Sequence, residues 1–123
     1  MKREIPRGEW RQFLESFTLQ HDGWLVNVFG TFADPLLLQD TPLQGVVSRR
    51  DETTGELQVI ATVGKRTEDH RRIVSHRPVA IRVESENGVD RAVEIESEDG
   101  SMMRLAICAP IAPELVDGIM PKM

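Results

Sequence analysis

Residues 84–100, from Glu84 to Gly100, read ESENGVDRAVEIESEDG and carry nearly the same five letters at each end, ESENG and ESEDG. Such an acidic echo is either a binding site for a cation or partner, or a pair of turns, and hairpin register decides between them. Asn87-Gly88 suits a two-residue type I′ turn. That loop, however, sets Ile81 opposite Glu94 and mixes core with solvent, because a one-residue slip exchanges the faces of a whole strand. A three-residue loop, Glu86 to Gly88, sets Ile81 opposite Val93 and Val79 opposite Ile95, with Gly88 in the left-handed position of a G1 bulge. The second echo obeys the same rule: with Glu98 to Gly100 as loop, Ile95 meets Met103 and Val93 meets Leu105. The echo is therefore turn grammar, and it predicts three antiparallel strands. Their buried face carries Val79, Ile81, Val83, Val93, Ile95, Met103, Leu105 and Ile107, each contributing ~1.5–3 kcal/mol on burial.

On the opposite face Glu94 lies across from Arg104 and diagonally from Arg82. These are solvent-facing cross-strand pairs worth about 0.2–1 kcal/mol each. The same registers align Ala80, Ala92 and Ala106, with Met102 at the rim. Small side chains let another element approach closely, so this face is a candidate interface with a second protomer or with the chain's own tail. Cys108 falls on it opposite Asp90, where a carboxylate disfavours the thiolate and makes a poor nucleophile.

Upstream, Trp10, Phe13, Leu14 and Phe17 recur at i, i+3, i+4 and i+7, one stripe of an amphipathic helix. Pro6 suits the start of that helix and Asp22-Gly23 its end, so the spacing predicts a helix over 7–21. The stripe reads as core, since aromatic platforms for stacked bases come with basic residues alongside. His21 sits in the last turn, where its cationic form complements the helix dipole.

After Gly23 the pattern turns to strands: WLVNVFGTF, LQGVVSRR, ELQVIATV, RRIVSHRPVAIRVES, DRAVEIES and MMRLAICA. Their spacing leaves no room for intervening helices, which excludes parallel βαβ units. Pro78 cannot donate to a ladder, so the long strand over 71–85 bends there. ADPLLLQDTPLQG holds a short strand around Leu36–Leu38 or an apolar loop, and the tail one helical turn at Pro113–Asp117. The expected fold is α+β in a single domain, 1–123. It has a helix over about 7–21, an antiparallel meander of about six to seven strands over about 24–108, curled or barrel-like, and a tail over 109–123.

A chain of 123 residues, 40% apolar and 28% charged, can hold a core without staples. No apolar h-region follows MKREIPRGEW and no window reaches the ~20 apolar residues of a membrane span, so a cytoplasmic protein without membrane contact is expected. Cys108, alone, forms neither an internal disulfide nor a zinc cluster. A net charge of −5 disfavours a nucleic-acid partner. The charge is uneven: residues 49–82 hold eight Lys or Arg against five Asp or Glu, and residues 83–99 one against seven.

Candidate chemistry is sparse. His70 and His76, six residues apart, stand roughly 20 Å from one another on a straight strand and cannot share a metal ion. Glu94, Glu96 and Glu98 form a flat row spaced by ~6.6 Å, whereas calcium needs converging oxygens. No phosphate loop, dinucleotide glycine pattern or nucleophile elbow occurs, so no catalytic residue, cofactor or metal site is assigned. The run GKRTEDHRRIVSHR is the richest in bases, but Glu68 and Asp69 interrupt it and no aromatic lies within it. Three functions follow as expectations. The first is a non-enzymatic protein acting by self-association or protein–protein interaction. The second is a small-ligand or anion-binding module, with a pocket between helix and sheet near Trp10, Trp24, Arg71 and His76. The third, by analogy of fold alone, is an RNA-binding Sm-like small barrel.

The opening IPRGEWRQFLESFTLQHDGWLV, the TPLQGV turn, the EIESEDG hairpin and the closing APELVDG together resemble a family of short, uncharacterised bacterial proteins grouped as a domain of unknown function. The resemblance spans about residues 4–118 and is weakest over TFADPLLLQD. It implies a free-standing bacterial domain and carries over no catalytic residues.

Overall fold

The computed structural model describes residues 1–30, 36–65 and 69–109. Within them the chain forms β1 (Lys2–Glu4), a 3-10 turn (Arg7–Glu9), α1 (Trp10–His21), β2 (Leu25–Phe29), β3 (Leu36–Arg50), β4 (Leu57–Val63), β5 (Arg71–His76), β6 (Pro78–Glu86), β7 (Val89–Ser97) and β8 (Met102–Ala109). All eight strands join one antiparallel sheet in the order β1-β6-β7-β8-β2-β3-β4-β5. The α+β class and the helix-plus-meander order are those expected. Two strands are additional. The charged run Lys2–Glu4 has no strand pattern of its own and is recruited by the edge of β6, and the long strand through Pro78 is divided in two. The division falls at Arg77, which takes a positive φ of 48° immediately before Pro78. The Arg77 N–H donates to Leu57 O (3.1 Å) and its carbonyl accepts from Glu98 N (2.9 Å), while its side chain pairs with Glu56.

The β7–β8 hairpin has the expected register, with Ile95 opposite Met103, Val93 opposite Leu105 and Glu94 opposite Arg104. The β6–β7 hairpin does not. Its loop is the two-residue Asn87-Gly88, both with positive φ (54° and 78°), and Glu86 pairs with Val89. A bulge then places Ser85 opposite Asp90 but Glu84 opposite Ala92, leaving Arg91 as the extra residue. Ile81 consequently meets Ile95, and Val83 meets Val93. The tight turn and matched apolar faces are compatible because the odd residue sits in the strand rather than in the loop. A second irregularity between Pro78 and Ala80 turns Val79 outward, 46% exposed, so it is not a core residue.

Trp10, Leu14 and Phe17 of α1 are buried with Val26, Val28, Val46, Val59, Ile81, Val83, Val93, Ile95 and Leu105, and Phe13 packs at the margin. The helix also completes the sheet. β2 pairs with β3 only as far as Pro42, so beyond it one edge of β3 lacks a neighbouring strand. There Thr18 Oγ1 accepts from Val46 N (2.9 Å) and donates to Val46 O (3.0 Å), satisfying both backbone groups. Gly45 permits this approach, since a Cβ at that position would lie 3.2 Å from Thr18 Cγ2.

Candidate functional site

The register of β3, β4 and β5 builds a three-by-three grid on the outer face of the sheet. Val47, Ile60 and Val74 form its central row, Arg49, Gln58 and His76 one flanking row, and Gly45, Thr62 and Arg72 the other. The alternate residues Val46, Val59 and Ala61 point into the core, as the two-residue period of a strand requires. Ile60 is covered by its neighbours at 3% exposure, but Val47 and Val74 are 45% and 37% exposed. Arg49 and Arg72 form no ion pair among the described residues, whereas Arg11, Arg77, Arg82 and Arg104 all do. No aromatic residue stands on the grid, so it offers bases nothing to stack on. Among the described residues β5 is also the terminal strand of the sheet, with backbone groups along one side that another chain could pair.

The outer face of β6–β8 is different. Ala92 and Ala106 pair as expected, but Ala80 lies opposite Glu96, beside Met102 and on the far side of the Arg82–Glu94–Arg104 row, so the three alanines form no common patch; Ala80 and Ala92 are also only 6% and 0% exposed within a single chain. Glu94, expected to face solvent, is only 9% exposed. Arg104 Nη1 donates to it at 2.8 Å and Lys2, brought in by β1, lies 3.2 Å away. Arg104 also bonds Glu84 at 2.7 Å, and Arg82 reaches Glu96 at 3.0 Å and Glu4 at 3.5 Å. The Arg-Glu-Arg row is thus part of a wider lattice of ion pairs. The Arg104 hydrogen bond, and then its charge, hold the Glu84 carboxyl below the usual range.

Where β2, β3, β4, β5 and β8 meet, a cavity of about 750 Å3 opens. Leu25, Leu38, Pro42 and Val63 supply its apolar wall, and Asp40, Lys65, Asp69 and Arg71 its charges. The chain crosses tightly beside it: Gly64 has φ 126°, and a Cβ there would sit 2.6 Å from Asp69 O, which places Asp69 and Arg71 at the rim. Cys108 also lines the cavity. Asp90, expected to face it, pairs with Ser85 instead. Burial first, and then the charge and hydrogen bond of Asp40 on β3, push the Cys108 thiol up; the β7–β8 ladder ends at Ala106, while β8 stays paired with β2 to Ala109.

The four residues expected to share a pocket are separated. Trp10 is a core residue whose indole N–H donates to Ile5 O (2.9 Å), with Arg7 over its ring. Trp24 packs edge-on against the buried His21, 4.7 Å between centroids, and His21 Nδ1 donates to Phe17 O (2.9 Å). Arg71 and His76 stand at opposite ends of β5: Arg71 lines the large cavity, His76 a smaller one with Glu56 and Asp99. No group of three metal-ligating side chains occurs among the described residues, and no helix among them is long and apolar enough to cross a membrane. The turn expected at Pro113–Asp117 and the APELVDG motif lie outside the described residues. The grid escaped sequence reading because Val47, Ile60 and Val74 belong to three separate strands. Their common signal, alternation with Arg49 and Arg72, is visible only once the strands are in register. Comparison of the chain with protein-family models, with curated proteins and with solved structures finds no match in any of the three.

Proposed function

We propose that this protein works without catalysis, by binding another protein chain on the outer face and terminal edge of β3–β4–β5. The observation that carries the reading is the apolar row Val47–Ile60–Val74, open at both ends, beside Arg49 and Arg72, which form no ion pair among the described residues. Apolar area and desolvated arginine are what anchor protein contacts, and a terminal strand accepts an added one. The fitting occupant is an acidic segment with aliphatic residues. The curled, barrel-like form belongs to the same proposal, supported by the chain running from β5 through Arg77 directly into β6, near the other end of the sheet order. Membership of the bacterial domain family of unknown function is also a proposal, supported by the quoted motifs.

The test places a photo-crosslinking residue at Val74 in cells, with the exposed Val89 as control. An adduct with one partner at Val74 but not Val89, cross-linked through an acidic, aliphatic segment, is the expected result. Adducts of twice the chain's own mass would replace the partner by a second copy, and identical patterns at both positions would end the proposal.

A further inference from the structure

We propose that the cavity bounded by Leu25, Leu38, Val63, Asp69 and Arg71 binds a small zwitterion with an apolar body, of the kind an aliphatic amino acid represents. This is independent of the docking face. Its volume, about 750 Å3, falls within the ~300–1,000 Å3 of small-molecule sites. Among the described residues its charged groups are Asp40, Lys65, Asp69 and Arg71, two of each sign. A net anion would therefore meet two carboxylates and a net cation two bases, each desolvated against an unfavourable partner. A neutral molecule carrying both charges meets neither penalty.

Asp69 and Arg71 stand two residues apart on the same rim, and among the described residues neither side chain has a hydrogen-bond or ion-pair partner, although the Arg71 backbone pairs with Val63. Asp40, by contrast, interacts with Cys108, and its backbone N–H donates to Asn27 Oδ1 (2.8 Å). The guanidinium of Arg71 presents the planar donor fork that matches a carboxylate, and the Asp69 carboxylate accepts from an ammonium. Leu25 and Val63, 4% and 0% exposed in the folded chain, form a preformed apolar wall behind them, which lowers the cost of ordering the site on binding. Gly64 holds this geometry: its 126° φ and the 2.6 Å approach of Asp69 O to a Cβ there leave room for no other residue.

L-Leucine is the probe, with 4-methylpentanoate, which lacks the ammonium, and 3-methylbutylamine, which lacks the carboxylate. Calorimetric titration is combined with the rate of Cys108 alkylation, since Cys108 lines the same cavity. Leucine is expected to bind and to slow alkylation, with each analogue at least about tenfold weaker, as the loss of a charge-assisted contact implies. Arg71→Gln and Asp69→Asn, both at exposed positions, should fold like the parent and each weaken leucine by a similar factor. Absence of heat and of alkylation protection at millimolar leucine would overturn the proposal. So would 4-methylpentanoate binding as tightly as leucine, or both variants binding like the parent.

Discussion

Single side chains here owe their properties to neighbours that lie far off in the chain. Cys108 is a case in point: with its thiol raised by burial and by Asp40, alkylation by iodoacetamide near about pH 8 should run slower than for an unperturbed cysteine. Asp40→Asn should quicken it without restoring the unperturbed rate, since burial remains; an unchanged rate would remove Asp40 from the explanation. Glu94 is the second case. Its burial and its bond to Arg104 predict that Glu94→Ala costs about 1.5–3 kcal/mol in urea unfolding, the range for hydrogen bonds to charged groups, with the fold retained through the remaining Arg104–Glu84 pair. Glu84 adds a pH dependence. A carboxyl depressed in the folded state stabilises above its unfolded pKa, and the contribution vanishes as pH falls through the lower folded value. The melting-temperature advantage of the parent over Glu84→Gln should therefore be full near neutrality and shrink below about pH 4. An advantage that persisted in acid would contradict the Arg104 pairing.

At the level of elements, α1 does more than cover the core, because Thr18 closes the stretch of β3 that β2 leaves bare. Thr18→Val keeps the shape and removes both bonds, so it should cost about 1–3 kcal/mol as two part-buried backbone groups lose their partner. A loss below about 0.5 kcal/mol, the scale of an inert surface change, would show that water replaces the hydroxyl. The two echo hairpins make the complementary point. Their letters are nearly alike, yet one closes with Asn87-Gly88 and a bulge at Arg91 while the other closes with three residues, Glu98 to Gly100. The turn letters name the place of each hairpin; the apolar residues of the flanking strands choose how the extra residue is absorbed.

Across the whole molecule, the sheet separates two kinds of outer surface. Over β6–β8 Arg82, Glu84, Glu94, Glu96 and Arg104 are ion-paired, whereas over β3–β5 an apolar row stays open beside Arg49 and Arg72, which have no ion pair among the described residues. Val74→Asp, on the open surface, should leave thermal stability within about 0.5 kcal/mol of the parent and abolish partner capture. Unfolding of that variant would mean the row is structural. The sequence by itself determined the helix, from the i, i+3, i+4, i+7 stripe of Trp10 to Phe17, and the antiparallel meander, from strand spacing too short for crossovers. It also determined which faces of β7 and β8 are buried, through the alternation of Val93, Ile95, Met103 and Leu105. These are periodicities, and periodicity is local. Only the tertiary structure decided that β1 joins β6, that Val47, Ile60 and Val74 share a row, and that Asp69 and Arg71 border a cavity with Cys108, because each depends on contacts between segments whose separation along the chain carries no record of their meeting.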